Sequence, residues 1–169
     1  MIREYLKKRR TRKTFQELLD KNVVESVLQG KLNAGVLQLK PAAMELIVAV
    51  VRGNTPEVVA ERMACVVDVS AKNNAMVFDM VSSMVIVAYG MFPQHQWGSG
   101  NRFTLVQELR EQLGEDIKII HCARRGVYGN LGSRTRMSYS FVVSGFVEML
   151  GLLVTMNFGE TKDLGDTDA

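Results

Sequence analysis

Four arginines crowd one stretch of this chain. Arg124 and Arg125 precede, and Arg134 and Arg136 follow, a run rich in small residues whose core, residues 126–139, reads GVYGNLGSRTRMSY. Guanidinium forks beside glycines, which let the backbone come close, suit phosphate oxygens. The same arginines can equally be solvated loop charge. Two other sets of residue types could do chemistry. His121-Cys122 offers two metal-ligating side chains, but with no third nearby in sequence they make a poor cage, and a packed strand histidine accounts for one of them. Ser82-Ser83 offers hydroxyls, yet no histidine is placed to activate them, and a hairpin turn explains both.

The elements that must position these residues follow from periodicity. Residues 117–120 and 139–143 are β-rich and flank Gly129, Asn130 and Gly132, where a tight reversal is expected. Residues 44–51, MELIVAVV, form a nearly continuous apolar run of strand length, bounded by Pro41 and by Arg52-Gly53-Asn54. That pattern predicts a strand covered on both faces. Thr55-Pro56 reads as an N-cap followed by proline at the first helical position, and the helix should stop at Asn73-Asn74. Residues 76–80 and 84–89 predict a hairpin closing at Gly90. Residues 92–102 predict a polar loop with His95 and Trp97, residues 103–113 a helix ended by Gly114, and a last helix begins near Gly145. Ahead of all these, Phe15, Leu18, Leu19, Val23, Val24, Val27 and Leu28 recur at helical spacing up to Gly30.

The predicted order is helix, strand, helix, strand, strand, helix, strand, strand, helix. A central antiparallel sheet with helices on one face, ferredoxin-like in its βαββαβ core, satisfies it, so the fold class is α+β. Residues 1–30 read as a basic N-terminal segment and entering helix, 31–158 as one domain, and 159–169 as a flexible acidic tail that frays.

Composition narrows the class further. With 169 residues, 47% hydrophobic and 23% charged, the chain can bury a real core. Its net charge of +3 owes much to basic residues at positions 3–13. No aromatic interleaving accompanies that charge, so nucleic acid is not an expected partner. No apolar run approaches the roughly 20 residues of a membrane helix. Cys65 and Cys122 lack partner spacing, which suggests reduced thiols and a cytoplasmic setting.

The wording of residues 129–139 is more specific than its pattern. Gly129, Asn130, Gly132, Ser133, Arg136, Met137 and Tyr139 fall where the class III nucleotidyl cyclases, the adenylate and guanylate cyclases, carry G-N-x-G-S followed by R-x-x-Y or R-x-x-F. The chain resembles that family over residues 14–158. The resemblance implies the cyclase architecture, an entering helix that helps pair subunits, and sites formed across a head-to-tail dimer. It also implies two magnesium-binding aspartates, a base-selecting lysine, and an asparagine and arginine about one helical turn apart. On the matching positions the first aspartate is Val50, the second is Ser83, the lysine is Asp79, the asparagine is Glu148 and the arginine is Leu152, while Val147 and Leu153 keep the pattern of the last helix. Two further departures are a short connection after Thr55 and no sign of the terminal strands that commonly follow the last helix.

A valine cannot hold magnesium, and Glu148 would repel a triphosphate. The resemblance therefore implies a catalytically silent cyclase-homology domain, with no catalytic residues, no metal and no cofactor, acting as a dimerisation or regulatory module. Its partner would be a second copy or an active cyclase domain. Two alternatives stay open. One is an active cyclase of ATP or GTP with magnesium or manganese on relocated ligands such as Glu45, Asp68, Asp79 or Glu148. The other is a sensor that binds a nucleoside triphosphate without turnover, with Arg134 and Arg136 as phosphate contacts.

Overall fold

The computed structural model describes residues 40–90, 101–133 and 136–167. The entering helix expected within residues 1–30, the boundary at residue 31, and the loop residues His95 and Trp97 lie outside the described residues.

The first strand, β1 (Lys40–Val51), is central and apolar. It pairs antiparallel with β3 (Met84–Tyr89) on one side and with β4 (Ile117–Ser133) on the other. The strand begins four residues earlier than expected, and it contains Pro41. Pairing with β3 starts only at Glu45, whereas pairing with β4 starts at Lys40. Among the described residues, 40–44 are thus paired on one side only, and a proline, which cannot donate to a ladder, is tolerated where one side carries no such pairing.

Next comes α1 (Pro56–Lys72), whose start matches the sequence reading. Thr55 is extended, and its Oγ1 accepts a hydrogen bond from Val58 N at 3.4 Å. Pro56, lacking an N–H that would have no helical partner, opens the helix. At the other end Asn73 Nδ2 donates to Val69 O at 2.9 Å, and Asn74 takes a left-handed φ of 54° that asparagine accepts more readily than most residues. The edge strand β2 (Met76–Val81) then makes a hairpin with β3.

Helix α2 (Asn101–Leu113) and a short 3-10 turn (Gly114–Asp116) lead into β4, followed by β5 (Arg136–Val143), α3 (Phe146–Thr155) and β6 (Thr161–Thr167). The strand order is β2-β3-β1-β4-β5, with β6 on β4. The first four strands in that order reproduce the ferredoxin-like sheet.

Alternation along β1 divides the core into two layers. Ile47, Ala49 and Val51 face α1 and α2, joining Val66, Val69, Leu105, Val106 and Leu109. Leu46 pairs with Cys122 on the opposite face, where Cys122 Sγ lies 3.4 Å from Met149 Sδ of α3. Helices thus cover both faces of the sheet and not one face as expected, α3 filling the second, and this double cover explains why β1 reads as an unbroken apolar run.

Gly90 ends the β3 edge with a φ of 81°, and a Cβ there would strike the carbonyl oxygen of Ala43. Gly90→Ala is therefore expected to lose about 2 kcal/mol or more of stability, read as a lower urea midpoint at unchanged slope.

Two further expectations are overturned. The reversal does not occur at Gly129, Asn130 and Gly132. Those residues continue β4, paired with Ser140, Tyr139 and Met137, and the strand runs on until Ser133 faces Arg136. In the same arm Gly126 serves close approach, since a Cβ there would collide with Val142 O and the Met44 side chain. Nor do residues 159–167, the described part of the expected tail, simply fray. Gly159 N donates to Ile117 O at 2.9 Å, and β6 pairs in parallel with residues 119–124 of β4. Two of the acids that suggested a loose tail, Asp163 and Asp166, help to attach it, through Arg102 of α2 described below.

Candidate functional site

At the end of β1, the β1–α1 connection and the β2–β3 turn meet. Val51 N donates to Ser83 O at 3.0 Å, and Ser82 holds the turn with a left-handed φ of 57°. Between these segments opens a cleft of about 660 Å³. Its polar lining is Arg52, Asn54, Thr55, Ser82 and Ser83, and its far wall includes Phe158. The Arg52 guanidinium lies over the Phe158 ring at 5.2 Å, and Lys118 Nζ approaches the same ring at 5.0 Å.

The positions singled out by sequence are only partly gathered here. Val50 is half-buried and pairs with Met84, the residue after Ser83, so those two positions do share one end of the sheet. Asp79 lies elsewhere, exposed on β2, with its Oδ1 accepting from Met80 N at 2.8 Å. It follows a bulge that leaves Phe78 out of the β2–β3 register. The displaced Phe78 meets Phe141 of β5 edge-on at 4.7 Å, and Phe141 meets Phe146 at 5.6 Å. Glu148 and Leu152 sit one turn apart on α3, both exposed. Arg134 lies outside the described residues, as does the side chain of Arg136, whose backbone belongs to β5.

Among the described residues this cleft offers a divalent cation no charged oxygen ligand. Magnesium and manganese want hard, preferably charged oxygen ligands. Among the described residues no aspartate or glutamate lines the cleft, and nowhere do three His, Cys, Asp or Glu side chains converge as metal ligands. The relocated set is scattered within the chain: Glu45 faces the α1/α2 layer, Asp68 is exposed on α1, and Glu148 is on α3 beneath the other face. His121 and Cys122 likewise point to opposite faces of β4, so they cannot share a metal.

Sequence reasoning missed a polar cluster in the α1/α2 layer. Arg102, 3% exposed, reaches from α2 to Asp166 Oδ1 at 2.8 Å and Asp163 Oδ1 at 3.7 Å on β6. Asp163 Oδ1 is also 3.5 Å from His121 Nδ1, and Phe103 meets the His121 ring edge-on at 5.5 Å. The Arg102 backbone N–H bonds to the Glu45 carboxylate. Burial pushes the Glu45 carboxyl above its usual range, with Arg102 pulling the other way. Burial likewise pushes the His121 imidazole below its usual range, against the attraction of Asp163. Arg124 completes the attachment, donating to Gly165 O at 2.9 Å and Leu164 O at 3.4 Å. These residues are too far apart in sequence for any spacing signal to have announced them.

No protein-family model matches the chain, and no curated protein matches it. Solved structures do. A bacterial light-regulated adenylyl cyclase superposes with a TM-score of 0.69 over 94% of this chain, at 11% identity. The adenylyl cyclase CyaB from P. aeruginosa gives a TM-score of 0.57 over 75% of this chain and 79% of its own, at 17% identity. The fold is that of nucleotidyl cyclase domains. A further cyclase structure, the guanylate cyclase domain of RhGC from Catenaria anguillulae in complex with GTP, matches with a TM-score of 0.57 at 11% identity, covering 73% of this chain and 79% of that one. The chain spans 54% of the light-regulated adenylyl cyclase. Within the cyclase fold, β6 supplies a strand after the last helix, where none was expected from sequence. Among the described residues no helix is long and apolar enough to cross a membrane.

Proposed function

We propose that this chain is a catalytically silent cyclase-homology domain that works by pairing, with a second copy of itself or with an active cyclase domain. The observation that carries the reading is the cleft lined by hydroxyls, an amide and an arginine, with no carboxylate among its described residues. Cyclisation of a nucleoside triphosphate needs the attacking hydroxyl activated and the phosphate charge neutralised, work that metal-bound carboxylates supply in phosphoryl transfer. Val50 and Ser83 can do neither. The domain needs no divalent cation under this reading, and the free thiols of Cys65 and Cys122 suit a reducing, cytoplasmic setting.

The exposed side of α3 supports the pairing. Val147 is 77% exposed and Val154 80% exposed, one heptad apart, with Gly151 between them and Leu152 beside them. A helix facing only water would carry charge there. Val142, at 56% exposure on the neighbouring β5, enlarges the apolar area.

The direct test is turnover. Incubation with ATP or GTP and manganese is expected to yield no cyclic nucleotide above a protein-free control. Product that scales with protein and disappears with chelator would defeat the silent reading and favour the active alternative. A second reading, a nucleotide sensor without turnover, draws on the cleft's size and on Arg52, Asn54 and the two serines. Titration in the presence of chelator separates it, since only a sensor binds ATP much more tightly than it binds inorganic phosphate or pyrophosphate.

A further inference from the structure

Asp116, the last residue of the 3-10 turn before β4, gives its two carboxylate oxygens to two arginines. Oδ1 pairs with Arg52 Nε at 3.1 Å, and Oδ2 pairs with Arg62 Nη2. The backbone repeats the link: Arg52 N donates to Asp116 O at 3.0 Å, and Arg62 Nη1 donates to Arg52 O. Three segments are thereby tied together, the end of β1, the second turn of α1 and the turn before β4. Their side chains, with Asn54 and Val58, line an open cavity of about 440 Å³.

Two guanidinium groups face one carboxylate, so the cavity keeps one positive charge in excess. A carboxylate bridging two forks holds its oxygens much as a phosphate would, since both groups present paired anionic oxygens to planar N–H donors. The side chains stay accessible, at 51% relative exposure for Arg52, 26% for Arg62 and 34% for Asp116, so an incoming anion can reach the arginines and displace the carboxylate. Exposed ion pairs of this kind are individually weak, which makes the displacement feasible.

We propose that Arg52 and Arg62 form a metal-independent phosphate site for which Asp116 is the built-in competitor. The ligand class is a phosphate dianion, free or as a monoester. The bridging carboxylate keeps affinity low until its charge is removed or it is drawn away. This inference does not depend on the cleft being catalytically silent, because it concerns neither a metal nor a bond-forming step.

The test uses the full chain and inorganic phosphate, in chelator, followed by amide NMR shifts. In the parent chain, weak binding is expected with shifts concentrated at residues 52–62 and 114–118. Asp116→Asn keeps the side-chain shape and leaves the backbone acceptor in place, and is expected to bind about tenfold more tightly, equivalent to ~1.4 kcal/mol. Arg62→Gln is expected to abolish the localised shifts in both backgrounds. Equal affinity of D116N and the parent, or shifts that persist in R62Q, would overturn the proposal. Should D116N fail to fold, the comparison of R62Q with the parent still decides it. Pyrophosphate added to R62Q with full retention of the same shifts would likewise overturn it.

Discussion

A chain carrying Val147→Lys and Val154→Lys is expected to sediment as a monomer at concentrations where the parent chain is paired. Both valines project from α3 into solvent in the single chain, and surface substitutions of this kind ordinarily change folding stability by no more than about 0.5 kcal/mol. In a dimer the effect is different. Each lost valine removes about 1.5 kcal/mol of apolar burial, and each lysine brings a charge that must be desolvated or squeezed out. A two-fold contact counts every substitution twice. The association should weaken by at least ~4 kcal/mol, on the order of a thousandfold in Kd, while the thermal midpoint of the isolated chain stays put. Sedimentation velocity over a hundredfold concentration series reads the result. An unchanged dimer would remove α3 from the contact, and a parent chain that is monomeric throughout would remove self-pairing.

Arg102→Met should be the most damaging single substitution in the α1/α2 layer. It deletes a guanidinium that is 3% exposed and leaves the Glu45, Asp163 and Asp166 carboxylates without it. Removing one member of a buried ion pair costs about 3–5 kcal/mol. Asp166 is 73% exposed and can turn to water, so the expectation is the lower end, about 3 kcal/mol, with β6 released first. Hydrogen exchange would show it as lost protection at residues 161–167 before β1 loosens. The pH dependence has a defined sign. Burial already raises the Glu45 pKa and Arg102 lowers it, so removing Arg102 raises it further. A carboxyl whose folded pKa exceeds its unfolded value binds its proton more readily in the folded state, and the fold gains stability as pH falls through that window. The deficit of the variant against the parent should therefore be smaller near pH 5 than at pH 8. A deficit independent of pH would show that lost packing, not charge, dominates.

Much of the architecture could be read from the chain because the signals were local. Thr55-Pro56 announced α1 through capping chemistry, the run at residues 44–51 announced a strand buried on two faces, and Ser82-Ser83 announced the β2–β3 turn. The misreading at Gly129, Asn130 and Gly132 has the same origin. Glycine and asparagine signal a reversal by conformational freedom alone, and nothing local reveals that Gly126 is needed for closeness to Val142 and Met44 while β4 continues past all of them. The bulge at Phe78 was equally invisible, since it is expressed only in pairing with β3.

The candidate site divides along the same line. Residue types at positions 50, 79, 83, 148 and 152 were a matter of sequence, and side-chain chemistry alone says that valine and leucine carry no group able to hold a cation or a phosphate. Where those positions lie was not. Placement of Arg52, Arg62 and Asp116 around one cavity, and of Glu45, Arg102, His121, Asp163 and Asp166 in one cluster, depends on segments far apart in the chain being brought together by sheet pairing and helix packing. Periodicity and capping act over a few residues, so the sequence by itself determined most of the helices and strands and the residue types at the positions that the resemblance singles out. Long-range contacts of opposite charge act across the whole fold, so only the tertiary structure decided that an acidic tail becomes a strand and that two arginines face one carboxylate beside an open cavity.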